Sequence, residues 1–455
     1  MIDLLSLSLR AQAALVADAE VTAVELTRAA LDRIAACDPE VRAVVHLNEQ
    51  ALEDAARIDA AAPEDRPPLA GAGFGVKDII DAAGQPTRCG SHAQMGAAEG
   101  DASSVAALRA AGMITLAKLA TYEYALTGPA WDQPNPPARN PFSALHITGG
   151  SSSGSAAAVA AGMMRVALGT DTGGSIRAPA AYCGIVGLKP THGAVADAGC
   201  FPLSPSLDVI GPLAASVEDA AVVMDLLAPR GAAQDLGRGI EGLVVGYARD
   251  WFADDPQTHP DLLQAMDDMA ALVSMLGGKV RLVTLPAYQP FEDAATVILQ
   301  AEALAVHREG LARRYDRYGV DARRNLLTGT VLTPEDVEAA RRLGARFRDQ
   351  VDALLVDHAA LLAPTTLGPA PAFSAFTQGP VWTPMRTMPF NLSGHPALSL
   401  PCGMTTATPP LPLGCQLIAR HGDERMLCRI GDAIERAFVP LPRPALRAEA
   451  MQDYA

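Results

Sequence analysis

GGSSSGSAAAVAAGMMRVALGTDTGGSIRAPAAYCGIVGLKP, residues 149–190, combines two glycine-serine turns with an alanine-rich segment and two short apolar segments. The alanine-rich segment 155–161 predicts a helix directly after the first turn. The apolar segment 166–168 predicts a strand leading into the second turn, and 184–188 predicts a further buried strand. A turn before a helix and a turn after a strand both belong at one edge of a sheet, so we expect the two turns to lie together.

Ser175, in the second turn, is the candidate nucleophile of this arrangement. The preceding Gly173 and Gly174 allow backbone N–H groups to face a developing oxyanion without a Cβ in the way. A serine hydroxyl needs a neighbouring base to take its proton, and a lysine serves only when burial keeps it neutral. Lys77 lies in the apolar, glycine-rich segment 69–80, which predicts a buried strand that points one amine inward.

These motifs together resemble the amidase signature family. Residues 149–190 follow the family's glycine-serine stretch, its Asp-Thr-Gly-Gly-Ser-Ile-Arg core and its Cys-Gly-Ile-Val-Gly-Leu-Lys-Pro tail. Lys77 lies in a matching Val-Lys-Asp, and further matching segments occur at 206–220 and 391–403. The resemblance spans most of residues 20–435 and is weakest at 230–360. It implies an α/β fold, a single-domain α/β/α sandwich with a mixed, mostly parallel central sheet.

The resemblance also implies the roles of the site residues. Ser175 is the nucleophile, Lys77 the general base, and Ser151, which follows a cis Gly150–Ser151 peptide bond in the family, the bridging serine. The oxyanion hole would consist of the N–H groups of Thr172, Gly173, Gly174 and Ser175. Asp171, Arg177 and Ser152 are expected to support the site. The candidates for lining the substrate pocket are Tyr124, Trp131, His192, Met388 and His395.

The expected activity is that of an amidohydrolase that cleaves C–N bonds of linear amides through an acyl-enzyme. The substrate would be a small-molecule amide, ester or carbamate, with an aryl amide, an anilide or a urethane as possible forms, so esterase and urethanase activities are included. An open loop at 192–200 would suit a bulky substrate. Neither a metal nor another cofactor is expected, because the relay of Lys77 and the two serines carries the chemistry.

Two other functions and one non-enzymatic role remain open. The chain could be the amidase-like subunit of a tRNA-dependent amidotransferase, which makes ammonia from glutamine for a partner. The segment 150–154 also fits Gly-x-Ser-x-Gly, which would make Ser152 the nucleophile of an α/β-hydrolase with Asp357 and either His395 or His421. A degenerate binding protein is disfavoured by the joint presence of all three relay residues. A phosphate loop is disfavoured because Ser155 stands where that motif requires lysine.

Composition limits the partners and the cellular location that we expect for the protein. The net charge of −15 over 455 residues disfavours partners such as nucleic acid or anionic membrane. The seven cysteines are scattered and include no Cys-x-x-Cys pair, so we expect reduced thiols and a cytoplasmic location. Neither a secretory signal nor a membrane span is expected, and the protein is expected to be a monomer or homodimer.

Within the single domain, expected over residues 1–455, three parts are distinguished. Residues 20–225 form the catalytic core, 230–360 a variable and largely helical cover, and 361–435 a return to the sheet. Locally, Thr22 and Glu25 predict a capping box, with a helix that ends before Pro39. A second helix is predicted over 43–62.

Overall fold

The structure, a computed structural model, describes residues 3–94, 96–442, 444 and 446. The remaining positions of the predicted 1–455 domain lie outside the described residues. The strands are β1 (Val44–Leu47), β2 (Gly73–Lys77), β3 (Ile114–Leu119), β4 (Arg139–Asn140), β5 (Ser143–Ile147), β6 (Val166–Asp171), β7 (Val186–Lys189), β8 (Val209–Ala214), β9 (Val244–Tyr247), β10 (Lys279–Leu282), β11 (Ala360–Pro364), β12 (Ala397–Met404) and β13 (Pro412–Ile418). The helices are α1 (Leu9–Ala17), α2 (Ala23–Val41), α3 (Ala51–Asp59), α4 (Ser103–Ala110), α5 (Ser153–Ala160), α6 (Arg177–Cys183), α7 (Val217–Leu227), α8 (Pro260–Met275), α9 (Tyr288–Arg314), α10 (Val320–Leu327), α11 (Pro334–Asp357), α12 (Pro389–Leu392) and α13 (Glu424–Ala437).

One large sheet organises these elements. Within the described residues it has 11 strands in the order β1-β3-β2-β6-β8-β7-β12-β13-β11-β9-β10. The expected α/β fold with a mixed sheet is confirmed, but the expectation of mostly parallel pairing is wrong. Parallel pairs occur only in β3-β2-β6 and β11-β9-β10, whereas the pairs from β6 to β11 and the β1-β3 pair are antiparallel. Strands β12 and β13 illustrate the physical reason. The short segment 405–411 joins them, and so short a connection can link antiparallel neighbours but not parallel ones.

Helices cover both faces of the sheet. On one face, α2, α5 and α6 share a hydrophobic core with β3. On the other, α4, α7, α8 and α13 pack into a second and larger core. The small residues of α5 permit close packing, since a Cβ added at Gly154 would overlap the backbone of Ala120 in the loop after β3. This close approach holds the start of α5, and therefore the first glycine-serine turn, against the sheet edge.

The segment 230–360, predicted to be a largely helical cover, contains helices α8 to α11. Helices α10 and α11 each pack against α9, and α9 and α11 also contact the short helix α12. Strands β9 and β10, which also belong to this segment, pair with each other, and β9 pairs with β11 of the sheet. The division of the chain into one domain with three parts stays a prediction.

Two local predictions are wrong. Helix α2 continues through Pro39 to Val41 instead of ending before the proline. The predicted helix 43–62 is a strand followed by a shorter helix, β1 and α3. The reason is tertiary pairing, because the β-branched Val44 and Val45 belong to a strand that pairs with β3.

Within the described residues, no helix combines the length and the apolar character required to cross a bilayer.

Candidate active site

Lys77 ends strand β2, which lies between the parallel strands β3 and β6. Its side chain is completely buried, and burial lowers the pKa of Lys77 to about 7. Nζ lies 2.8 Å from Ser151 Oγ and 2.7 Å from Thr170 Oγ1. A buried amine with a pKa this low is half deprotonated near neutral pH, so it has the property that a general base requires.

Ser151 lies in the first glycine-serine turn, directly before α5. The Gly150–Ser151 peptide bond is cis, as expected. The ring of Tyr122 packs so closely on this turn that a Cβ at Gly150 would overlap it, and Tyr122 N–H donates to the carbonyl of Ser151 at 3.1 Å. The close packing positions the Ser151 hydroxyl next to Lys77.

Ser152 has a different environment from Ser151. It is completely buried, and its Oγ donates to the carbonyl of Thr170 at 3.1 Å and accepts from the Thr170 N–H at 3.2 Å. Both hydrogen bonds tie the first turn to β6. This geometry supports the expected positioning role and disagrees with the alternative in which Ser152 is the nucleophile of an α/β-hydrolase.

The second glycine-serine turn, which carries Ser175, is organised by Asp171. The carboxylate accepts from the N–H of Gly174 at 2.8 Å and from the N–H of Ile176 at 3.1 Å. The expected oxyanion hole therefore needs a correction, because the Gly174 N–H is already donated to Asp171. Thr172, Gly173 and Ser175 remain as candidate donors. Gly174 has φ +138°, and a Cβ there would also overlap Thr387 Oγ1, so this position requires glycine.

Asp171 and Arg177 form a buried ion pair behind the turn. Burial works against ionisation of Asp171, but the guanidinium at 3.0 Å more than offsets this effect, and the pKa of Asp171 is lowered to about 2. The remaining donors of Arg177 reach the carbonyl of Thr387, Gln416 Oε1 and Asn391 Oδ1. The pair thus attaches the Ser175 turn to the C-terminal part of the chain, in agreement with the expected supporting role.

We expect Arg177→Met to destabilise the protein by about 3–5 kcal/mol, because it leaves Asp171 as an unpaired buried carboxylate. Chemical unfolding followed by circular dichroism would measure the change. The matched control is Arg57→Met, which removes a largely exposed arginine paired with Asp54 and is expected to cost less than about 1 kcal/mol. Equal effects of the two substitutions would contradict the structural role given to the buried pair.

A cavity of about 550 Å³ opens onto the two turns. Ser151, Gly173, Gly174 and Ser175 line its floor. Apolar and aromatic side chains form much of the wall: Ile147, Ala178, Tyr182, Phe376, Met385 and Met388. The cover contributes charged and polar side chains: Glu292, Asp293, Gln300, Asp321, Arg324 and Asn325. The volume falls in the range typical of sites for small molecules.

Of the five residues expected to line the substrate pocket, the structure places only Met388 in this cavity. Tyr124 is buried in an aromatic cluster, with its ring 5.1 Å from both Phe201 and Tyr318. Trp131 is 57% exposed and packs edge-on against Phe373, beside a different surface cavity. Both expectations are therefore corrected, because these aromatic rings are stabilised by other aromatic residues away from Ser175.

The two histidines expected in the pocket, His192 and His395, also lie outside the Ser175 cavity. His192 lies in the 192–200 loop, which lines a separate cavity of about 210 Å³ on the side of Thr170 and Thr172. His395 is buried and contacts Asp352 and Ser393. Because the 192–200 loop borders a different cavity, its openness does not determine access to Ser175 and does not favour a bulky substrate.

Three site residues, Thr170, Tyr122 and Tyr182, were not predicted from the sequence. Thr170 contacts the Lys77 amine, and the two tyrosines line the cavity. Thr170 had a usable signal, because it lies two residues after Leu168 in β6, so the two side chains share one face of the strand beside the one that carries Lys77. Tyr122 had none, since it follows β3 in an irregular loop and meets the first turn only through tertiary packing.

A group of side chains with metal-ligand spacing lies outside the cavity. It consists of Asp352, His395 and His421, whose ligand atoms lie within 4.8 Å of one another. None of the three lines the Ser175 cavity.

Comparison with known proteins places this geometry in context. The family model described as Amidase matches residues 25–428. The A subunit of the glutamyl-tRNA(Gln) amidotransferase of Exiguobacterium sibiricum is 34% identical, over 95% of this chain and 97% of that protein. Among solved structures, a chain reported with a vestigial protein complex and an s-triazine catabolic enzyme has 31% identity and a TM-score of 0.87, covering 95% of this chain and 99% of its own. The peptide amidase of Stenotrophomonas maltophilia has 29% identity and a TM-score of 0.83, covering 97% and 98%.

Proposed function

The chain belongs to the amidase signature family, and we propose that it hydrolyses the C–N bond of a small-molecule amide through an acyl-enzyme on Ser175. The observation that carries the proposal is the 2.8 Å hydrogen bond between the buried Lys77 amine and Ser151 Oγ, on the floor of the cavity that also exposes Ser175. A buried amine bonded to one serine hydroxyl, beside a cavity lined by that serine, a second serine and a glycine turn, provides the groups that acyl transfer requires.

In the proposed mechanism, neutral Lys77 accepts the proton of Ser151 while Ser151 takes that of Ser175. Ser175 Oγ forms a bond to the amide carbonyl carbon, and the oxyanion is stabilised by the N–H groups of Thr172, Gly173 and Ser175. The relay returns the proton to the leaving nitrogen, the C–N bond breaks, and the amine departs. Water then attacks the acyl carbonyl carbon and loses a proton to the same relay. The ester bond to Ser175 Oγ breaks, the relay returns the proton to Ser175, and the acid departs.

This mechanism predicts the pH dependence of kcat/KM. Because the base must be neutral and burial lowers the pKa of Lys77 to about 7, kcat/KM should rise with pH through about 7 and level off above it. Below that pKa the neutral fraction, and with it kcat/KM, should fall about tenfold per pH unit. Steady-state rates from pH 5 to 9 test this.

The control for this profile is Asp208→Asn. Burial raises the pKa of Asp208 to about 6, so this carboxyl titrates in the same range, and it accepts from Thr172 Oγ1 at 2.6 Å beside the nucleophile turn. If Lys77 is the base, the rising limb persists in Asp208→Asn. A profile that is flat down to pH 5 in the unchanged protein would exclude a lysine base.

For the substrate, we propose an aryl amide, an anilide or a carbamate, with esters accepted by the same chemistry. The apolar wall formed by Ile147, Tyr182 and Met388 suits an apolar body next to the scissile carbonyl. We propose that the protein acts on this small molecule as a monomer or homodimer. Its proposed location is the cytoplasm.

The second candidate is the glutamine-hydrolysing subunit of a tRNA-dependent amidotransferase. It is favoured by relatives named as the A subunit of glutamyl-tRNA(Gln) amidotransferase, including one from Roseiflexus at 36% identity over 92% of this chain. The cavity also contains groups of both charges: Arg324 suits a carboxylate, and Asp321, 3.8 Å away, suits an ammonium group. A free amino acid such as glutamine carries both charges, so this part of the cavity is compatible with it.

One panel separates the two candidates. The purified chain is assayed for amine or ammonia release from an aliphatic amide, an anilide, a carbamate and glutamine. Turnover of the anilide or carbamate by the lone chain, with little from glutamine, supports the first candidate. Glutamine as the best substrate supports the second, as would recovery of the chain in a heteromeric complex from its native host.

A further inference from the structure

Asp352, His395 and His421 come from three separate parts of the fold. Asp352 lies in α11 of the cover, His395 precedes β12, and His421 follows β13. His395 Nε2 lies 2.9 Å from Asp352 Oδ1, and His421 Nδ1 lies 3.7 Å from the same oxygen. One carboxylate oxygen therefore faces two imidazole nitrogens.

The hydrogen bond on the far side of His421 determines its tautomer. Nε2 lies 3.0 Å from the backbone carbonyl oxygen of Ser393, which only accepts, so Nε2 carries a proton. The neutral ring then has a lone pair on Nδ1, directed at the Asp352 carboxylate. Two electron-rich atoms facing each other require a positive group between them, either a proton or a metal ion.

His395 is held in a similar way. Its Nδ1 lies 2.9 Å from Ser393 Oγ, a hydroxyl that can accept the Nδ1 proton and leave Nε2 free as a ligand. The same residue, Ser393, thus holds both rings from behind, through its side chain and its carbonyl. Arg348 donates to that carbonyl at 2.9 Å and fixes its position. Ligand histidines in metal sites are typically oriented by such a hydrogen bond from the second ring nitrogen.

We propose that Asp352, His395 and His421 bind one divalent transition-metal ion, with Zn²⁺ as the best match. Two imidazole nitrogens and one carboxylate oxygen form a ligand set that Zn²⁺ favours and that Mg²⁺ and Ca²⁺ do not. Zinc–ligand distances of about 2.0–2.2 Å in a tetrahedron place ligand atoms about 3.3 Å apart. The two distances to Asp352 Oδ1, 2.9 and 3.7 Å, bracket this value, and all three ligand atoms lie within 4.8 Å of one another, so side-chain movements suffice to form the site.

The ion has a structural role in this proposal. It attaches helix α11 of the cover to the sheet, next to the beginning of β12 and the end of β13. Because none of its ligands lines the Ser175 cavity, the proposal is independent of the proposed amidase chemistry. Asp352 and His421 are partly exposed, with 46% and 34% of their side chains accessible, so an ion can enter from solvent.

The test uses the full-length chain without an affinity tag, stripped of metal by a chelator and then dialysed. Titration with Zn²⁺ in a calorimeter should show one equivalent bound, and Zn²⁺ should raise the Tm. Co²⁺ should give the visible absorption of a tetrahedral site. His421→Ala and Asp352→Asn should each lose the stoichiometric binding and the Tm shift, whereas His92→Ala, which removes an exposed histidine elsewhere, should retain both.

Circular dichroism shows whether each variant is folded, and Ser393→Ala provides a further check. It removes only the hydroxyl behind His395, so binding should persist with an affinity reduced by about 10–100-fold. The proposal is overturned if the unchanged protein binds no equivalent of Zn²⁺, or if folded His421→Ala and Asp352→Asn bind it as well as the unchanged protein does. In the first case, a proton holds His421 against Asp352 as an ordinary ion pair.

Discussion

Ser175→Ala is expected to reduce kcat/KM for the best substrate of the panel by about 10⁴–10⁶-fold, the loss seen when a serine nucleophile is removed from an acyl-transfer site. Ser175 is only partly buried and borders the cavity, so its loss leaves the core unchanged. The variant should therefore unfold at the same temperature as the unchanged protein. Single-turnover kinetics, with mass analysis of the protein during reaction with an ester, would show that the acyl adduct no longer forms.

Ser152→Ala is the matched control for this experiment. It removes a hydroxyl from the neighbouring turn, where Ser152 bonds the backbone of Thr170. We expect it to cost about 1 kcal/mol of stability and to keep most of the activity, because this hydroxyl does not line the cavity. If Ser152→Ala loses activity while Ser175→Ala retains it, the nucleophile assignment is wrong and the α/β-hydrolase alternative is correct.

Lys77→Met is expected to reduce kcat/KM by about 10²–10⁴-fold, the typical contribution of a general base. Its rate should also lose the rise through pH 7. Methionine has a similar length and no charge, so the buried position accepts it. No opposite charge is left unpaired, and the fold should be perturbed much less than by Arg177→Met. Steady-state kinetics over the same pH range, with thermal unfolding alongside, measures both effects.

A second buried lysine provides the control for Lys77. Burial also lowers the pKa of Lys189 to about 7, but its Nζ donates to the carbonyl of Pro190 and does not contact either serine. Lys189→Met should therefore retain the pH dependence of kcat/KM. If Lys189→Met abolishes the rising limb and Lys77→Met leaves it intact, the general base has been assigned to the wrong residue.

The proximity of Lys77, Ser151 and Ser175 was predictable from the sequence because each lies in a short segment with strong local preferences. Glycines on both sides of Ser151 and before Ser175 indicate turns, and the apolar segment around Lys77 indicates a buried strand. The strand order explains why these residues meet. Because β2 pairs with β6, the end of β2, which carries Lys77, lies next to the end of β6, where the Ser175 turn begins. A local pattern thus predicts a single strand or turn. Two such elements can be expected to be neighbours when both turns lie at the same edge of the sheet.

The cavity wall was not predictable in the same way. Glu292 and Arg324 reach it from α9 and α10 of the cover, two helices that have no common motif. Trp131 and Tyr124 were both expected in this wall. The structure pairs those rings with Phe373 and Phe201, because a buried or half-buried aromatic ring is stabilised by whichever neighbours the tertiary fold supplies.

The direction of strand pairing was also misjudged. An alternation of helices and strands along the chain suggests parallel pairing, but the alternation does not specify which strands become neighbours. Strands β8 and β7 follow the nucleophile turn and insert between β6 and β12, both in antiparallel pairing. Such insertions depend on the lengths and paths of the loops, and the sequence pattern contains little information about either.

The bonds from Arg177 to Asn391 and Gln416 have a consequence for the time at which activity appears during synthesis. Gln416 is 239 positions further along the chain than Arg177. A nascent chain that has already emerged with Lys77, Ser151 and Ser175 still lacks the groups that hold the Asp171–Arg177 pair, so the nucleophile turn stays unfinished until the last strands are translated. Activity is thus expected only from chains whose last strands have been translated.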